Sequence, residues 1–351
     1  MPVTNSSTNT KPRLLTGDRP TGPLHLGHLL GSLQNRVALQ ASHECFVIVA
    51  DLHTLTTRPQ REHIARLPEH VRAVVLDLLS AGIDPEQTTI YLQSGVPAVY
   101  DLAILLQMLI PAAQLQPLAS LRQMAAVAGI AEDSMSLGLL GYPVLQAADI
   151  LMARAEVIPV GGDNLAHVEI ARAVAQRFNE MYGPVFPLPE GRSARVDLLP
   201  GVGPEGPSAA KMSKSAGNTI NLGDAPELVA TKLSTLSGPR LLAFVDALIE
   251  DSDEAGAIRR EHAAGSLSDS RVHERLVGAA EALLGPLRER RAAFEADRGR
   301  VEEILVDGTI RAREVAYRTL QSVREAMGLE PLWQGLIAEA ERRAEDRKKP
   351  Y

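Results

Sequence analysis

The chain has one cysteine, Cys45, which excludes a disulfide framework, a CxxC pair and any cysteine-based zinc or iron–sulfur site. That thiol lies inside the apolar run CFVIVAD, and a reducing cytoplasm is the expected compartment. No stretch approaches the roughly 18 apolar residues of a membrane span. The N-terminal MPVTNSSTNTKP is polar and has no apolar core of the signal-peptide kind, so residues 1–11 read as a disordered tail. There is no surplus of positive charge: 36 Lys and Arg against 43 Asp and Glu give a formal net charge of -7. This argues against a nonspecific nucleic-acid coat and against DNA as a partner, while a local basic face could still engage RNA. Internal repeats are absent. What is present is 351 residues, 45% hydrophobic and 23% charged, enough chain for two domains and a sizeable core.

RLLTG (13–17) has the character of a short buried strand. A Gly/Pro loop follows, then LHLGHLLGSLQNRVALQ, in which Leu26, Leu29, Leu30, Leu33 and Val37 recur at helical spacing, and then the strand-like CFVIVAD. Strand, loop, helix, strand is the order of a parallel sheet with crossover helices. The pattern continues with a helix over 68–81, where Pro68 suits the first turn, a strand at TTIYLQS (88–94) and a helix at VYDLAILLQML. YPVLQAADILMA predicts a helix after Pro143, EVIPVG a strand, and NLAHVEIARAVAQRF an amphipathic helix capped by Asp163 or Asn164. The expected fold is α/β, with a doubly wound, Rossmann-like parallel sheet. Residues 184–218 are dense in Gly, Pro and Ser and predict a long surface loop. From 224 to 345 the periodicity is mostly helical. The chain therefore divides into a tail (1–11), an α/β domain (12–220), an all-helical domain (221–345) and a second tail (346–351).

PTGPLHLGH (20–28) sets His25 and His28 at a helix start, on the carboxyl edge of a parallel sheet, where α/β folds bind ligands. A helix N-terminus offers free N–H groups and a positive dipole suited to phosphate, and Gly27 lets a nucleotide approach the backbone. Imidazoles there can donate hydrogen bonds to a phosphoryl group as charge develops on it. A metal site needs more ligands, and neither a third histidine nor a cysteine lies nearby in sequence. From this stretch alone, helix capping and phosphate binding both remain open. AAKMSKSAGN (209–218) places Lys211 and Lys214 among Ser213, Ser215, Gly217 and Asn218, a composition that suits a mobile polyphosphate clamp and equally an ordinary solvated loop.

Together the two stretches mean more. HLGH near the start and KMSKS in a loop between an α/β and a helical domain closely resemble the paired motifs of class I aminoacyl-tRNA synthetases. The resemblance implies that His25, His28, Lys211 and Lys214 bracket ATP, with Mg²⁺, while an amino-acid carboxylate attacks the α-phosphate to give an aminoacyl-adenylate and pyrophosphate. GDRPTG (17–22), ADLHTLT (50–56) and the long stretch from Gly141 to Gly183 are similar to the bacterial tryptophanyl-tRNA synthetases, a likeness that runs from residue 13 to 329. It implies an ATP site of Arg19, Pro20, Thr21, Gly27, His28, Gly161, Gly162, Asp163, Val196, Lys211, Met212, Ser213, Lys214 and Ser215, with Asp163 accepting from the ribose. The implied tryptophan pocket holds His53, Tyr142, Gln146, Asp149 and Asn164. Asp149 would accept the indole N–H, while Tyr142 and Gln146, on the same helical face, would hold the substrate ammonium. An indole nitrogen is a donor only, so such a pocket needs a buried acceptor, and a carboxylate between AA and IL sits amid apolar neighbours.

The chain departs from the commonest pattern at Leu15, Gln146 and Asn164, where many members carry phenylalanine, methionine and glutamine, and the segment from LVATKLSTLSG on is shorter than usual. The implied activity is activation of L-tryptophan and its transfer to tRNA(Trp). Tyrosine is the nearest rival substrate, because Tyr142, Gln146 and Asp149 also match the spacing that tyrosyl-tRNA synthetases use. A small-molecule nucleotidyltransferase sharing HxGH, and a silent paralogue serving as an RNA-binding or regulatory module, are the rivals from other classes. The expected tRNA partner would meet the C-terminal helices. Residues 288–350 hold 14 Lys and Arg against 13 Asp and Glu, and Arg311 and Arg318 share a face on which Glu314 is also placed to pair with Arg318. No inserted editing domain is evident, and a homodimer is implied by the resemblance.

Overall fold

The computed structural model describes residues 11–161, 165–193, 199–204, 211–297 and 299–347. Five strands, β1 (Arg13–Asp18), β2 (Glu44–Val49), β3 (Thr88–Leu92), β4 (Val157–Val160) and β5 (Glu190–Ser193), form one sheet in the order β3-β2-β1-β4-β5. All four pairings are parallel. Cys45 to Val49 are all buried, as a strand covered on both faces requires, which is why CFVIV reads as a continuous apolar run. The strand order reverses at β1, so the carboxyl ends of β1 and β4 open a crevice where ligands bind in this architecture.

α1 (Leu26–His28) follows β1 and runs through a π-helical turn, Leu29–Leu33, into α2 (Gln34–Leu39). α3 (Asp51–Leu55), α4 (Arg61–Ala65) and α5 (Leu67–Ala81) lead to β3. Pro68 stands in the first turn of α5, and Gly82 closes the helix at φ 104°, a left-handed conformation that favours glycine. Between β3 and β4 lie α6 (Ala98–Gln107), α7 (Ala112–Leu115), α8 (Ala119–Val127), α9 (Leu137–Leu140) and α10 (Tyr142–Met152). α11 (Leu165–Tyr182) crosses from β4 to β5. The remainder is helical: α12 (Pro226–Leu233), α13 (Gly238–Leu248), α14 (Ser252–Ala263), α15 (Asp269–Ala296), α16 (Arg300–Ala326) and α17 (Leu329–Asp346).

The composition of 184–218 predicts loop throughout, but β5 lies inside it. Glu190 to Ser193 pair with Val157 to Val160, and Gly191 lies so close to Leu165 of α11 that a Cβ would approach its side chain to 2.8 Å. EGRS has no apolar alternation; backbone bonding to β4 makes it a strand.

Two large cores cover the faces of the sheet. One joins Leu26, Val47, Val75 and Leu78 with Met212, Ile220, Leu233, Phe244 and Leu276. The other joins Phe46, Ile48, Leu102, Ile150 and Phe178 with Ala312, Ala316 and Val323. The C-terminal helices thus contribute to both. α16 also covers the open edge of β3: Thr309 Oγ1 accepts from Leu92 N–H at 3.1 Å, and a Cβ on Gly308 would stand 1.9 Å from Ile90 O. Among the described residues no helix is long and apolar enough to cross a membrane.

Candidate active site

The loop after β1 pairs with the loop after KMSKS. Leu26 N–H donates to Ile220 O at 2.8 Å, and Leu222 N–H to Leu24 O at 3.1 Å, so His25 lies opposite Asn221 in a short antiparallel bridge. This pairing brings together two motifs whose first residues, His25 and Lys211, are 186 positions apart in the chain, about half its length.

His25 and His28 stack with ring centroids 3.8 Å apart and planes tilted by 54°. The His25 backbone N–H donates to His28 Nδ1 at 3.2 Å, which leaves the proton of the neutral His28 ring on Nε2. His25 is buried, and its Nδ1 has no partner among the described residues. A Cβ at Gly27 would approach that ring to 3.1 Å, so the missing side chain lets the two imidazoles nest. Burial, followed by the nearby His28, Lys214 and Lys211, pushes His25 down to about 2. Desolvation likewise lowers His28 to about 4, although Asp18 works against it. Both rings are neutral at neutral pH and can donate without carrying charge.

Met212 is buried against the same loop and anchors the KMSKS segment, its N–H donating to Leu199 O at 2.9 Å. Asn218 holds the turn, accepting from Ser213 N–H at 2.7 Å and donating to Lys211 O at 3.1 Å. Lys214 Nζ donates to Gly22 O at 2.7 Å. Burial pushes Lys214 down to about 8, with Asp18 and Asp77 opposing the fall. Lys211 is exposed. At the end of β1, Asp18 accepts from Arg36 Nη1 at 2.5 Å. Burial works to raise the Asp18 carboxyl, but Arg36, His28 and Lys214 hold it below its usual range. Arg19 lines the crevice, and the Pro20 to Gly22 turn follows it.

At the other end Asp149, on α10, is 2% exposed. Its Oδ2 accepts from Gln93 Nε2 at 2.8 Å and lies 3.0 Å from His53 Nε2, whereas its Oδ1 has no partner among the described residues. Burial raises the Asp149 carboxyl, and the His53 and Gln93 hydrogen bonds pull it back. The Tyr142 ring packs 4.1 Å from that of His53. Gln146 Oε1 accepts from His167 Nδ1 at 2.8 Å, and His167 Nε2 lies 2.6 Å from Ser120 Oγ.

One cavity of about 250 Å³ runs between these ends, lined by Asp18, Arg19 and Arg36 at one side and by His53, Tyr142, Gln146 and Asp149 at the other. It sits over the carboxyl ends of β1, β2 and β4. Neither this cavity nor a more open concavity of about 650 Å³ beside α7 and α9 is lined by His25, His28, Lys211 or Lys214, and only the smaller one is lined by Asp18 and Asp149. Gly161 lines the 250 Å³ cavity, while Gly162, Asp163, Asn164 and Val196, and the side chain of Ser215, lie outside the described residues. Sequence reasoning missed Asp18, Arg36, Gln93, Ser120 and His167. Asp18 carried a readable signal, a carboxylate at the carboxyl end of β1; the others come together only through the sheet and α10.

A family model described as tRNA synthetases class I (W and Y) matches residues 7–237, and the chain belongs to this family. Within it, a tryptophan-tRNA ligase of Treponema pallidum is 46% identical over 332 residues, covering 90% of this chain and 97% of the relative. One from Chlamydia caviae is 39% identical, covering 94% and 99%. A tryptophanyl-tRNA synthetase of Campylobacter jejuni, solved with ADP and tryptophan, superposes with a TM-score of 0.77 at 29% identity, covering 90% of this chain and all of that one.

Proposed function

We propose that the protein is a tryptophan-tRNA ligase that joins tryptophan to the AMP moiety of ATP, releases pyrophosphate and passes the aminoacyl group to tRNA(Trp). The observation that carries this reading is Asp149 Oδ1, a buried acceptor at the end of the cavity that has no partner among the described residues. A donor-only indole N–H completes it, and a substrate without that donor leaves the carboxylate short of a bond. His53 and Gln93 hold the other oxygen and so aim the free one. Tyr142 and Gln146 take the ammonium, and this reading also assigns Asn164 to tryptophan.

Tryptophan's carboxylate attacks the α-phosphorus as the bond to pyrophosphate breaks, and positioning and charge stabilisation lower the barrier. The neutral rings of His25 and His28 donate N–H bonds to the phosphate oxygens, and Lys211 and Lys214 supply cationic charge. Arg19, Pro20, Thr21, Gly27 and Gly161 shape the nucleotide site, together with Gly162, Asp163 and Val196 and the KMSKS residues Met212, Ser213 and Ser215. Mg²⁺ neutralises phosphate charge when it is bound. Among the described residues there is no group of three or more histidine, cysteine or carboxylate side chains that could hold a metal ion.

The same reading seats tRNA on the C-terminal helices and pairs two chains in the cytoplasm. Arg318 lies 3.7 Å from Glu314 and Arg311 reaches Pro85 O at 3.3 Å, so these two arginines already have partners. Exposed Tyr317 and Trp333 nearby offer ring faces for unpaired bases. Tyr100, Ile104 and Met108 form an exposed apolar stripe along α6 that suits a subunit contact. The test is ATP–pyrophosphate exchange with tryptophan and tyrosine in parallel. Exchange with tryptophan alone is expected; exchange with tyrosine alone overturns the pocket assignment, and none with either moves the silent-paralogue reading forward.

A further inference from the structure

Asp77, on α5, is wholly buried, yet it has no place in the chemistry described above. Its Oδ2 accepts from Leu24 N–H at 2.6 Å, and Leu24 is the residue before His25. Its Oδ1 is ion-paired with the guanidinium of Arg291, on α15. The same guanidinium lies beneath Gly223, where a Cβ would come within 3.2 Å of Arg291 Nε. Gly223 directly follows Leu222, the residue that bonds back to Leu24. Arg291 therefore lies against one arm of the pairing that joins HLGH to KMSKS and reaches the other through Asp77. Two neighbours on α15 act alongside it, Arg290 donating to Ser80 O at 2.7 Å and Arg288 to Asp224 O at 3.4 Å.

We propose that Asp77 and Arg291 are a positioning pair for the ATP site, through which α15 sets where His25 and Lys214 stand. Neither residue touches the nucleotide. Asp77 fixes the backbone from which His25 springs, and its charge bears on Lys214. Arg291 works against the burial that raises that carboxyl and makes its placement depend on a helix of the C-terminal region. A buried ion pair is weak evidence for stability as such, and the sequence could fill the space with apolar groups. What an apolar pair could not do is accept the Leu24 N–H while presenting negative charge toward Lys214. The inference rests on the reading of His25, His28 and Lys214 as the ATP site.

The groups that bear on Asp77 are Leu24 N–H, Arg291 and Lys214. Burial raises the Asp77 carboxyl, and these three hold it back. Removing the guanidinium raises it further, so the carboxylate protonates as pH falls through a higher value and its hold on Lys214 goes with it.

The experiment is ATP–pyrophosphate exchange on the full chain from pH 5.5 to 8.5, with KM measured separately for ATP and tryptophan, in Arg291→Met, Arg291→Lys, Asp77→Asn and the Asp77→Asn/Arg291→Met double variant. Arg291→Met is expected to lower kcat/KM for ATP about tenfold at neutral pH, the scale of one displaced charge-assisted contact, with KM for tryptophan within about twofold. It should also gain an acidic limb that the double variant lacks, and Arg291→Lys should restore most of the loss. Asp77→Asn keeps an acceptor for Leu24 and, should Arg291→Met not fold, decides alone by weakening ATP but not tryptophan. Equal losses for both substrates, no change in Asp77→Asn, or an acidic limb that survives in the double variant overturns the proposal. His25→Ala and Lys214→Ala are run beside them: if these leave exchange intact, the ATP-site reading itself fails, and if they abolish it while the pair variants are silent, only the pair fails.

Discussion

Asp149 is a buried carboxylate with one oxygen held by His53 and Gln93 and the other without a partner among the described residues. On the proposed pocket an amide of the same shape either keeps the His53 and Gln93 bonds and turns a donor toward the indole N–H, or offers the indole its oxygen and breaks both bonds. Asp149→Asn should therefore lower kcat/KM for tryptophan by about a hundredfold, roughly the cost of an unmade buried hydrogen bond to a charged group, with KM for ATP little changed in exchange assays. Lys214 makes a prediction about pH. Its ammonium is pushed down to about 8, so its charge is lost as pH rises through that value, and kcat/KM for ATP should decline above it. Lys214→Arg should remove this alkaline limb, because a guanidinium stays protonated throughout. Asp149 was legible in the sequence because a lone carboxylate inside AADIL has to be explained. Gln93 was not, because nothing near QSGVP says that its amide turns toward a residue 56 positions later.

The element that carries the histidines is a short helical turn that becomes a π-turn before it settles into α2. Its fit depends on Gly27, where an added methyl group meets the His25 ring at 3.1 Å. Gly27→Ala should separate the stacked rings and cost about tenfold in kcat/KM for ATP while leaving the melting temperature nearly unchanged, measured by exchange kinetics beside thermal denaturation. At this scale the sequence was readable wherever an apolar period was present. The helices over 67–81, 98–107 and 142–152, and the strands around Phe46 and Ile90, lie where the periodicity predicts them. β5 escaped because EGRS is polar and becomes a strand only by pairing with β4, a contact from outside its own segment. The π-turn escaped for a similar reason, since LLGSL has ordinary helical spacing and the wider turn shows only in the backbone.

Across the whole molecule, the composition indicated an α/β half and a helical half, but not how far they share their interiors. Both cores draw on residues beyond 220, and α16 lies along β3 at a distance that only glycine at 308 permits. Gly308→Ala should force the helix off the strand and cost about 3 kcal/mol, seen as a melting temperature several degrees lower. Such a contact between distant segments has no periodic signature, because its partners are 218 residues apart, as Ile90 and Gly308 show. The covering of β3 has a consequence for how the protein is made. A strand left open at the rim of a sheet is a template for pairing with other chains. During synthesis the sheet can assemble long before residues 300–326 have left the ribosome, and until they do, that rim stays bare. The nascent chain is then most open to misassembly late in translation, when nearly all of the catalytic half already exists and the helix that seals it does not.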